Sequence, residues 1–377
     1  MPCLNEADTL ALCINKAQQA LRDAGVAGEV IVADNGSADG SQEIAGGLGA
    51  RVVDVAVKGY GSALMGGIAA ARGRYVVMGD ADDSYDFGEL PKFVDKLREG
   101  FDLVQGCRLP AGGGTVAPGA MPFLHRWIGN PALTFLVRAW FDAPINDVYC
   151  GLRGFTKSHY ERLDQRCTGM EFATEMIIKS SLMGSRISEV PITLHPDKRR
   201  SHPPHLKTFR DGWRTLRFFM MCTPRWLYLL PGLSFVLLGL VGYALAFPAT
   251  RIGPATLGAH TLLFASLSIL CGYQAILFSV FAQTFAMAEH LLPEDPVMMR
   301  AFKIINLERG LLASAIATLA GLALLFAAFW QWRAVGYGPL DYARTMRLVI
   351  PGATLTALGV QTFLSSFFIS ILGMTRR

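Results

Sequence analysis

Four stretches of this sequence contain no Asp, Glu, Lys or Arg and are each long enough to cross a lipid bilayer. They are residues 226–250, 252–288, 310–332 and 348–375. A helix needs roughly 20 apolar residues to cross a hydrocarbon core about 30 Å thick. We therefore predict four transmembrane helices, at about 226–247, 260–288, 310–332 and 348–373. They form an all-α membrane domain of residues 226–377.

The second stretch, 252–288, is longer than one crossing requires. A turn around Pro254 and Gly258 is therefore expected before its helix begins. None of the four stretches has a charge at its centre, so transport through this domain is unsupported. The expected role of the membrane domain is to anchor the chain and to present a lipid.

Charged residues are concentrated in the remainder of the chain. They make up 17% of the sequence, against about 25% in soluble domains. Only 14 of the 65 charged residues lie in 226–377, which leaves 1–225 with the charge density of a soluble domain. A wholly soluble protein, a disordered chain and a disulfide scaffold are excluded. Seven scattered cysteines without metal-ligand spacing predict reduced thiols in a cytosolic compartment.

Residues 198–225 contain eight Lys or Arg and one acid, Asp211. Because this segment adjoins the first apolar stretch, we expect its partner to be an anionic lipid surface or a phosphate, and not a nucleic acid. The loops between the apolar stretches form two alternating groups. Segments 198–225, 289–309 and the C-terminal tail together contain more basic residues than 251–260 and 333–347 together. The positive-inside rule then predicts a multi-pass protein of the inner (cytoplasmic) membrane, with the soluble half and the C-terminus in the cytoplasm.

Two segments are predicted to lie at the membrane surface. Apolar residues recur at spacings of three and four in 206–222, whereas Arg210, Arg214 and Arg217 occupy another face. This pattern predicts an interfacial helix, and a helix of the soluble core is the alternative. Residues 121–141 are predicted to form a second membrane-facing helix, which receives the lipid acceptor.

The soluble half alternates short apolar runs with helix-like segments. The runs are residues 30–33, 51–55, 75–79 and 102–105, and the helix-like segments are 6–24, 39–48, 61–72 and 88–98. This alternation predicts an α/β domain with a parallel sheet covered by helices on both faces. Ligands bind such sheets outside the carboxyl ends of the strands. Polar residues occur at three such ends, namely 5–6, 34–37 and 80–83.

Asp80 and Asp82 form the sharpest of these clusters. Two carboxylates at i and i+2 point to the same side of a strand, roughly 7 Å apart. One divalent cation can join them, and Mg²⁺ held by one or two carboxylates usually completes its shell with substrate phosphates. The alternative is a capped turn, in which Asp83 or Ser84 starts the helix that follows. Asp34 has the same two interpretations, since it accepts hydrogen bonds either from a base or ribose or within a turn.

Six motifs in order resemble those of family 2 glycosyltransferases. They are PCLNE (2–6), VADNGSADG (32–40), a helix at 61–74 leading into DAD (80–82), GCR (106–108), DVYCGLRGF (147–155) and EVPI (189–192). Within that family they look most like the polyprenyl-phosphate hexose synthases, the dolichyl-phosphate mannose or glucose synthases and their undecaprenyl relatives. The match covers about residues 1–220. A C-terminus with four spans occurs in one branch of the group.

The resemblance implies a GT-A fold, Rossmann-like with a mixed sheet, at residues 1–197. It also implies a nucleotide-sugar donor of the UDP-glucose or GDP-mannose type, and a bound Mg²⁺ or Mn²⁺. Substrate-binding positions carried over from the family are Pro2, Leu4, Glu6, Asp34, Asp80, Ala81 and Ser84, the last standing where the family often has Gln. Asp80 and Asp82 are the implied metal ligands. The implied catalytic residues are Asp82, Arg108 and Arg153. The two arginines suit this role because guanidinium groups match phosphate oxygens.

Two departures from the family bear on these expectations. The family has an apolar strand before its first motif, and this sequence begins at that motif, so we expect the first strand to be absent or the gene start to be misplaced. The family loop after EVPI usually carries an arginine and GxSK, whereas here residues 198–207 read KRRSHPPHLK. Residues 198–207 thus keep the positive charge of the family loop but not the spacing of its basic residues. Arg200 and Lys207 are predicted to bind the diphosphate or the lipid phosphate.

The predicted acceptor is a membrane polyprenyl phosphate. Its oxygen is already anionic at neutral pH, so the reaction needs alignment and charge screening, and no strong general base. Asp147 is either an acceptor-side carboxylate or part of a turn. Glu175 shares a helix face with Glu171, and it either orients a basic ligand or is a surface charge.

Three functions remain in competition. The first is an inverting transfer of a hexose to polyprenyl phosphate. The second is a processive polysaccharide synthase, which is disfavoured because Cys222 stands where the QxxRW motif of those enzymes has Gln. The third is an inactive membrane-anchored remnant that binds nucleotide sugars. Residues 203–205 and 211–214 look like bacterial dolichyl-phosphate glucose synthase-like proteins, which favours glucose as the sugar.

Overall fold

The computed structural model describes residues 1–199, 208–288, 300 and 306–373. Arg200 and Lys207 therefore lie outside the described residues. The chain divides into two compact units, Met1–Phe219 and Met220–Arg377. The finer boundaries at 197/198 and 225/226 stay predictions.

The first unit alternates strands and helices. The strands are β1 (Pro2–Cys3), β2 (Ile31–Asp34), β3 (Arg51–Asp54), β4 (Tyr75–Met78), β5 (Leu103–Cys107), β6 (Thr115–Val116), β7 (Arg153–Thr156), β8 (Ile187–Pro191) and β9 (Thr193–Leu194). The helices are α1 (Ala7–Asp23), α2 (Ser41–Gly47), α3 (Tyr60–Ala70), α4 (Leu90–Arg98), α5 (Asn130–Phe141), α6 (Lys157–Leu163), α7 (Phe172–Leu182) and α8 (Thr208–Cys222), which continues into the second unit. The helix-like segments and apolar runs of the first 107 residues all match elements of this unit.

The strands form two principal sheets. β1, β2 and β3 are parallel, in that order. The other sheet has the order β4, β7, β5, β8. The mixed sheet that the family resemblance implies is confirmed, because β7 runs antiparallel between β4 and β5, where the alternation of apolar runs alone indicated a parallel sheet. β8 is parallel to β5. The mixed α/β class is confirmed.

Helix α4 illustrates how the sequence produces this layer. A proline stands in its first turn, where the missing backbone donor costs nothing. Phe93, Val94 and Leu97 recur at spacings of three and four and are buried, whereas Lys92 is exposed. Lys96 and Arg98 lie in its last turn, where positive charge favours the helix dipole. The apolar face therefore packs on the sheet, and the charged face meets solvent.

The chain does form a short first strand. Pro2 and Cys3 pair with Ala33 and Asp34 of β2. The backbone amide of Ala33 donates to the Met1 carbonyl at 2.9 Å, and the Met1 ammonium donates to the Ile31 carbonyl at 2.8 Å. This pairing lies inside the first motif, where the edge of β2 supplies backbone partners to residues 1–3. The expectation that the family's preceding apolar strand is absent stays a prediction.

The described residues of the second unit contain four helices long and apolar enough to span a membrane: Arg225–Ala246, Ala259–Ala288, Leu307–Ala334 and Tyr342–Leu372. The first consists of a π-helical turn, Arg225–Leu229, and α9 (Leu230–Ala246); the others are α10, α11 and α12. A hairpin of β10 (Arg251–Ile252) and β11 (Ala255–Thr256) precedes α10. The four predicted spans and the turn before the second are confirmed.

Glycines mediate close helix packing in this unit. A Cβ on Gly272 of α10 would lie 2.6 Å from the Gly232 carbonyl of α9. A Cβ on Gly321 of α11 would lie 2.6 Å from the Gly352 carbonyl of α12. Small residues are the usual means by which membrane helices approach closely, since lipid offers no hydrophobic drive to associate. α10 also packs on α12, so these contacts join all four helices.

Candidate active site

The structure brings the three predicted polar clusters together. The turn at Asn5 is fixed to the end of β2, because the Ser37 hydroxyl accepts from the Asn5 amide at 2.9 Å and the Asn5 side chain accepts from the Ala38 amide at 2.9 Å. The Thr9 hydroxyl of α1 donates to the Ala81 carbonyl at 2.6 Å. Residues 5–9, 34–38 and 80–82 thus form one edge of the unit, as expected for strand ends.

Asp34 lies at the carboxyl end of β2 and is fully buried. Its Oδ2 accepts from the amides of Gly36 and Ser37 and from the Gln42 side chain, at 2.9, 3.0 and 2.6 Å. Burial opposes ionisation, but these hydrogen bonds outweigh it and hold the pKa of Asp34 below its ordinary value. Its Oδ1 accepts no hydrogen bond from the described residues. Pro2 and Leu4, in and just after β1, are half-buried beside it.

Asp82 is held by its neighbours in the chain. Its Oδ1 accepts from the Ser84 hydroxyl at 2.6 Å and the Ser84 amide at 3.0 Å. These are turn contacts. The helical turn that follows is capped by Asp86, whose side chain accepts from the Gly88 amide at 3.0 Å, so neither Asp83 nor Ser84 starts it. The substrate-binding role of Ser84 stays a prediction. Oδ2 of Asp82 faces Arg199, whose Nη2 lies 3.3 Å away.

Asp80 is the other candidate metal ligand and is more deeply enclosed. Its Oδ1 accepts from the Tyr60 hydroxyl at 2.9 Å. Gly151 packs against its other oxygen, since a Cβ there would lie 2.6 Å from Oδ2. Burial, and then the charge of Asp82, raise the pKa of Asp80 to about 6. Nearby Arg199 and Arg108 lower it without offsetting the rise.

The two carboxylates fit a divalent cation. A raised carboxyl pKa marks negative charge that the protein does not fully compensate, and a cation supplies that compensation. The described residues contain no group of three or more His, Cys, Asp or Glu placed to hold a metal. A pair of carboxylates is nevertheless sufficient where substrate phosphates and waters complete the shell of Mg²⁺ or Mn²⁺.

Arg199 joins two of the clusters. Its guanidinium lies 3.0 Å from Oε1 of Glu6 and 2.6 Å from Oδ2 of Asp197, besides its contact with Asp82. The side chain is only 9% exposed. Burial opposes its charge, but hydrogen bonding to Asp197 and the charges of Glu6 and Asp82 raise the pKa of Arg199 above its ordinary value. Glu6, a predicted nucleotide-binding residue, is therefore an ion-pair partner.

Arg108 and Asp147 form a buried bidentate ion pair. Nε of Arg108 lies 2.7 Å from Oδ2 and Nη2 lies 2.9 Å from Oδ1, and the Arg108 amide also donates to Oδ2 at 3.0 Å. Burial raises the pKa of Asp147, but the charge of Arg108 outweighs it, and the net pKa is lowered. Asp147 is thus bound within the protein. It fixes the plane of the Arg108 guanidinium, a candidate phosphate ligand.

Arg153 of β7 is completely buried. Its Nη1 donates to the Ala173 carbonyl at 2.5 Å and its Nη2 to the Cys150 carbonyl at 2.7 Å. Burial lowers its pKa. These contacts connect β7 to α7 and to the segment at Cys150, whose neighbour Gly151 packs on Asp80. They indicate a structural role for Arg153. The catalytic role of Arg153 stays a prediction.

Glu175 of α7 is paired with Lys179, one turn along the same helix, at 2.8 Å. Its carboxylate also accepts from the amides of Arg166 and Cys167 at 3.1 and 2.9 Å. Glu175 is 3% exposed, so it is not a surface charge. It orders the loop before α7. Its predicted role in substrate binding is not tested by these contacts.

Sequence reasoning missed two residues of this site. Tyr60 was not predicted because the sequence gives only a weak signal for it. That signal is its position between Gly59 and Gly61, which indicates a helix start that packs closely on other backbone. A Cβ on Gly59 would lie 2.3 Å from the Thr168 carbonyl. Arg199 escaped because the adjacent Arg200 was chosen in its place, and neighbouring arginines of a loop look alike in sequence.

Family comparisons agree with the motif order. Residues 1–163 match the glycosyl transferase family 2 domain. Residues 280–373 match the glycosyltransferase family 2 C-terminal transmembrane region. The chain thus carries both parts expected from its charged and apolar halves.

Curated relatives extend the match to nearly the whole chain. The low-salt glycan biosynthesis hexosyltransferase Agl6 of Haloferax volcanii is 36% identical over 374 residues, which are 99% of this chain and 88% of that protein. A dolichyl-phosphate hexose transferase of the same organism is 34% identical over 185 residues, which are 49% of this chain and 76% of that protein.

Among solved structures, glucosyl-3-phosphoglycerate synthase of Mycobacterium tuberculosis is similar over 59% of this chain and 77% of its own, at 23% identity and a TM-score of 0.46. The full-length relative and the two family matches carry the assignment. With its four spans, this chain belongs to glycosyltransferase family 2 as a membrane protein.

Proposed function

We propose that this protein transfers a hexose from a nucleotide sugar to the phosphate of a membrane polyprenol, with inversion at the anomeric carbon. The observation that carries this proposal is the cluster of two carboxylates, Asp80 and Asp82, at the strand-end edge of a family 2 domain. Arg199 contacts Asp82, and the charges of Arg199 and Arg108 act on Asp80. Such a site suits a reaction between two anions.

The donor would lie along this edge. The Asp34 carboxylate, with its Oδ1 not engaged by described residues, suits hydrogen bonding to a base or ribose. Pro2, Leu4 and Glu6 border the same pocket in our proposal. Asp80 and Asp82 would hold Mg²⁺ or Mn²⁺ with the diphosphate beside the backbone of Ala81. The bound cation would supply neutralisation of the charge that develops on the leaving diphosphate.

The acceptor phosphate is already a nucleophile, so the protein's task is to align it with the donor carbon and to screen repulsion. Arg108 is suited to this task because Asp147 fixes its guanidinium plane. Arg153, Arg200 and Lys207 remain further proposals for phosphate contacts. A single displacement of the nucleoside diphosphate by the phosphate oxygen inverts the anomeric centre.

A lipid acceptor is supported by exposed apolar side chains on the first unit. Phe123 and Trp127, just before α5, are 73% and 58% exposed, and Phe209 and Trp213 of α8 are 84% and 59% exposed. Aromatic side chains of this kind favour the membrane interface. The named activity of the Haloferax dolichyl-phosphate hexose transferase points to the same acceptor class.

The proposal includes orientation and domain limits. Residues 198–225, 289–309 and the C-terminal tail together carry more Lys and Arg than 251–260 and 333–347 together, so the first unit and the C-terminus would face the cytoplasm at the inner membrane. The glycosyltransferase domain would comprise 1–197, the basic juxtamembrane segment 198–225 and the membrane domain 226–377. Glucose is our proposed sugar.

A donor panel tests the function. Membranes containing the protein are incubated with radiolabelled UDP-glucose, GDP-mannose or related donors, with MgCl₂ or MnCl₂ or with EDTA. We expect label in an organic-extractable, mild-acid-labile lipid, dependent on the cation and lost in Asp82→Asn membranes. Asp95→Asn, at an exposed carboxylate of α4, is the matched control. Label in a polymer would indicate a processive synthase, and no transfer from any donor would contradict the proposal.

A further inference from the structure

A short basic segment, residues 195–199, lies along the candidate metal motif. The His195 amide donates to the Ser84 carbonyl at 2.9 Å, and the Lys198 amide donates to the Asp82 carbonyl at 3.3 Å. The backbone of the basic segment is therefore hydrogen-bonded to residues 82–84. Two side-chain contacts add to these backbone contacts.

The first side-chain contact is the ion pair of Lys198 with Asp83. Nζ of Lys198 lies 2.6 Å from Oδ2 of Asp83, and Nζ of Lys16 in α1 lies 2.7 Å from Oδ1. The Asp83 side chain is 0% exposed, whereas that of Lys198 is 56% exposed. Asp83 has a φ of 57°, in the left-handed region that Asp and Asn adopt more readily than most residues. A buried carboxylate between two lysines is an anchor for both.

The second contact is the pairing of Arg199 with Asp82 and Glu6. Consecutive basic residues, 198 and 199, thus meet consecutive acidic residues, 83 and 82. The two pairs differ in one respect. Asp82 is a candidate metal ligand, whereas Asp83 is held by Lys16 and Lys198.

We propose that Asp83 is a positioning residue that holds the basic segment through Lys198, so that Arg199 stays beside the diphosphate site when a cation binds Asp82. This inference rests on the proposed function only in taking Asp80 and Asp82 as the cation ligands. The substrate group that Arg199 would meet is the diphosphate of the nucleotide sugar.

The physical reason is competition for one oxygen. Oδ1 of Asp82 is engaged by Ser84, so a divalent cation held by Asp82 would compete with Arg199 for this carboxylate and would weaken the contact of Arg199. A guanidinium on a free loop would then move away into solvent. The adjacent Lys198–Asp83 pair keeps it nearby, which gives Arg199 a high effective concentration at the diphosphate oxygens.

Amide hydrogen exchange of the purified full-length protein tests the anchor without requiring catalysis. We expect the His195 amide to exchange about fivefold faster in Asp83→Asn and Lys198→Met, since a partly exposed pair contributes up to about that factor. Asn tolerates the positive φ of position 83, so Asp83→Asn removes charge with little backbone strain. Lys198→Arg should restore protection. Lys16→Met, at the other partner of Asp83, should leave His195 protected.

Kinetics test the consequence. With whichever donor is transferred, Asp83→Asn and Lys198→Met should each raise the donor KM about fivefold and leave kcat within about twofold, because only positioning changes. The double variant should be no worse than either single variant, since both remove one interaction.

The outcomes separate the two hypotheses. Unchanged exchange of His195 in Asp83→Asn, or additive effects in the double variant, would overturn the positioning role. Faster exchange together with no transfer from any donor would uphold the anchor and reject the proposed function. Transfer with unaltered KM in both variants would uphold the function and reject the role of Asp83.

Discussion

The Tyr60 hydroxyl donates a 2.9 Å hydrogen bond to Oδ1 of Asp80. Tyr60 is the first residue of α3, and Asp80 follows β4, so this bond joins a helix start to a strand end. Burial raises the pKa of the Tyr60 hydroxyl well above its ordinary value, so this group remains a donor. The carboxylate of Asp80 is thereby stabilised by a neutral group, and its acidity depends on that group.

Removal of this bond should make cation use more sensitive to acid. In Tyr60→Phe the pKa of Asp80, already about 6, should rise further, because the hydrogen bond lowers it. We expect the cation concentration for half-maximal transfer to increase by about threefold to tenfold at pH 6, and less at pH 8. Cation titrations of the transfer reaction at both pH values measure this. Tyr75→Phe, at a β4 tyrosine stacked on Arg74, is the control and should match the wild type.

The Arg108–Asp147 pair should show the asymmetry of buried charges. Asp147→Leu leaves Arg108 buried and uncompensated, so we expect a loss of about 3 kcal/mol in unfolding free energy. The double variant Arg108→Met with Asp147→Leu should be closer to the wild type in stability, because it removes both charges. Thermal unfolding in detergent measures both. A double variant at least as unstable as Asp147→Leu would contradict this expectation.

His159 should make stability depend on pH. Its Nε2 lies 2.8 Å from the Ser180 hydroxyl, and burial lowers its pKa; Asp102 opposes this shift and Arg162 adds to it. The unfolded chain therefore takes up a proton first as pH falls below about 6.5, so the folded state loses relative stability from that value down to the folded pKa.

Unfolding midpoints between pH 5 and 8 measure this effect. The wild type should lose more stability than His159→Gln as the pH falls, since Gln has no proton to gain. Equal pH slopes for the two proteins would exclude His159 as the cause.

Gly59 should resist substitution for reasons of both backbone and space. Its φ is 138°, and a Cβ would lie 2.3 Å from the Thr168 carbonyl. We expect Gly59→Ala to cost about 3 kcal/mol in unfolding free energy and to reduce transfer, because Tyr60 follows directly. Gly25→Ala is the matched control, since Gly25 also has a positive φ, 59°, but nothing within 4 Å. A smaller loss of about 1 kcal/mol and normal transfer are expected there. Equal losses would show that the Thr168 contact is unimportant.

Local pattern was sufficient for most elements of the first unit. Short apolar runs separated by turn residues located β2, β3, β4 and β5, and periodicity located α1 and α4, because those signals come from burial of neighbouring residues. β7 was not foreseen as a strand between β4 and β5. β7 begins with a buried arginine, which is not typical of a strand. Its place in the sheet depends on pairing with β4 and β5, which are far away in sequence.

The location of the candidate site was predicted from the sequence, but the contacts between its side chains were not. The sequence places Asp34, Asp80 and Asp82 at the ends of strands. Sheet topology alone then predicts that they meet at one edge. The contacts of Glu6 and Asp82 with Arg199 depend on the path of a loop more than 100 residues away in the chain. Side chains so far apart in sequence are paired only by the completed fold.

The unequal lengths of the four membrane helices have a consequence for the lipid around them. Arg225–Ala246 has 22 residues, about 33 Å of helix, whereas the other three have 28 to 31 residues, or about 42 to 46 Å. A hydrocarbon layer of about 30 Å therefore fits the first helix nearly upright and leaves the other three to tilt or to emerge. Thicker, longer-chained membranes would suit three helices at the expense of one, so bilayer thickness is a variable to which this enzyme's environment must be matched.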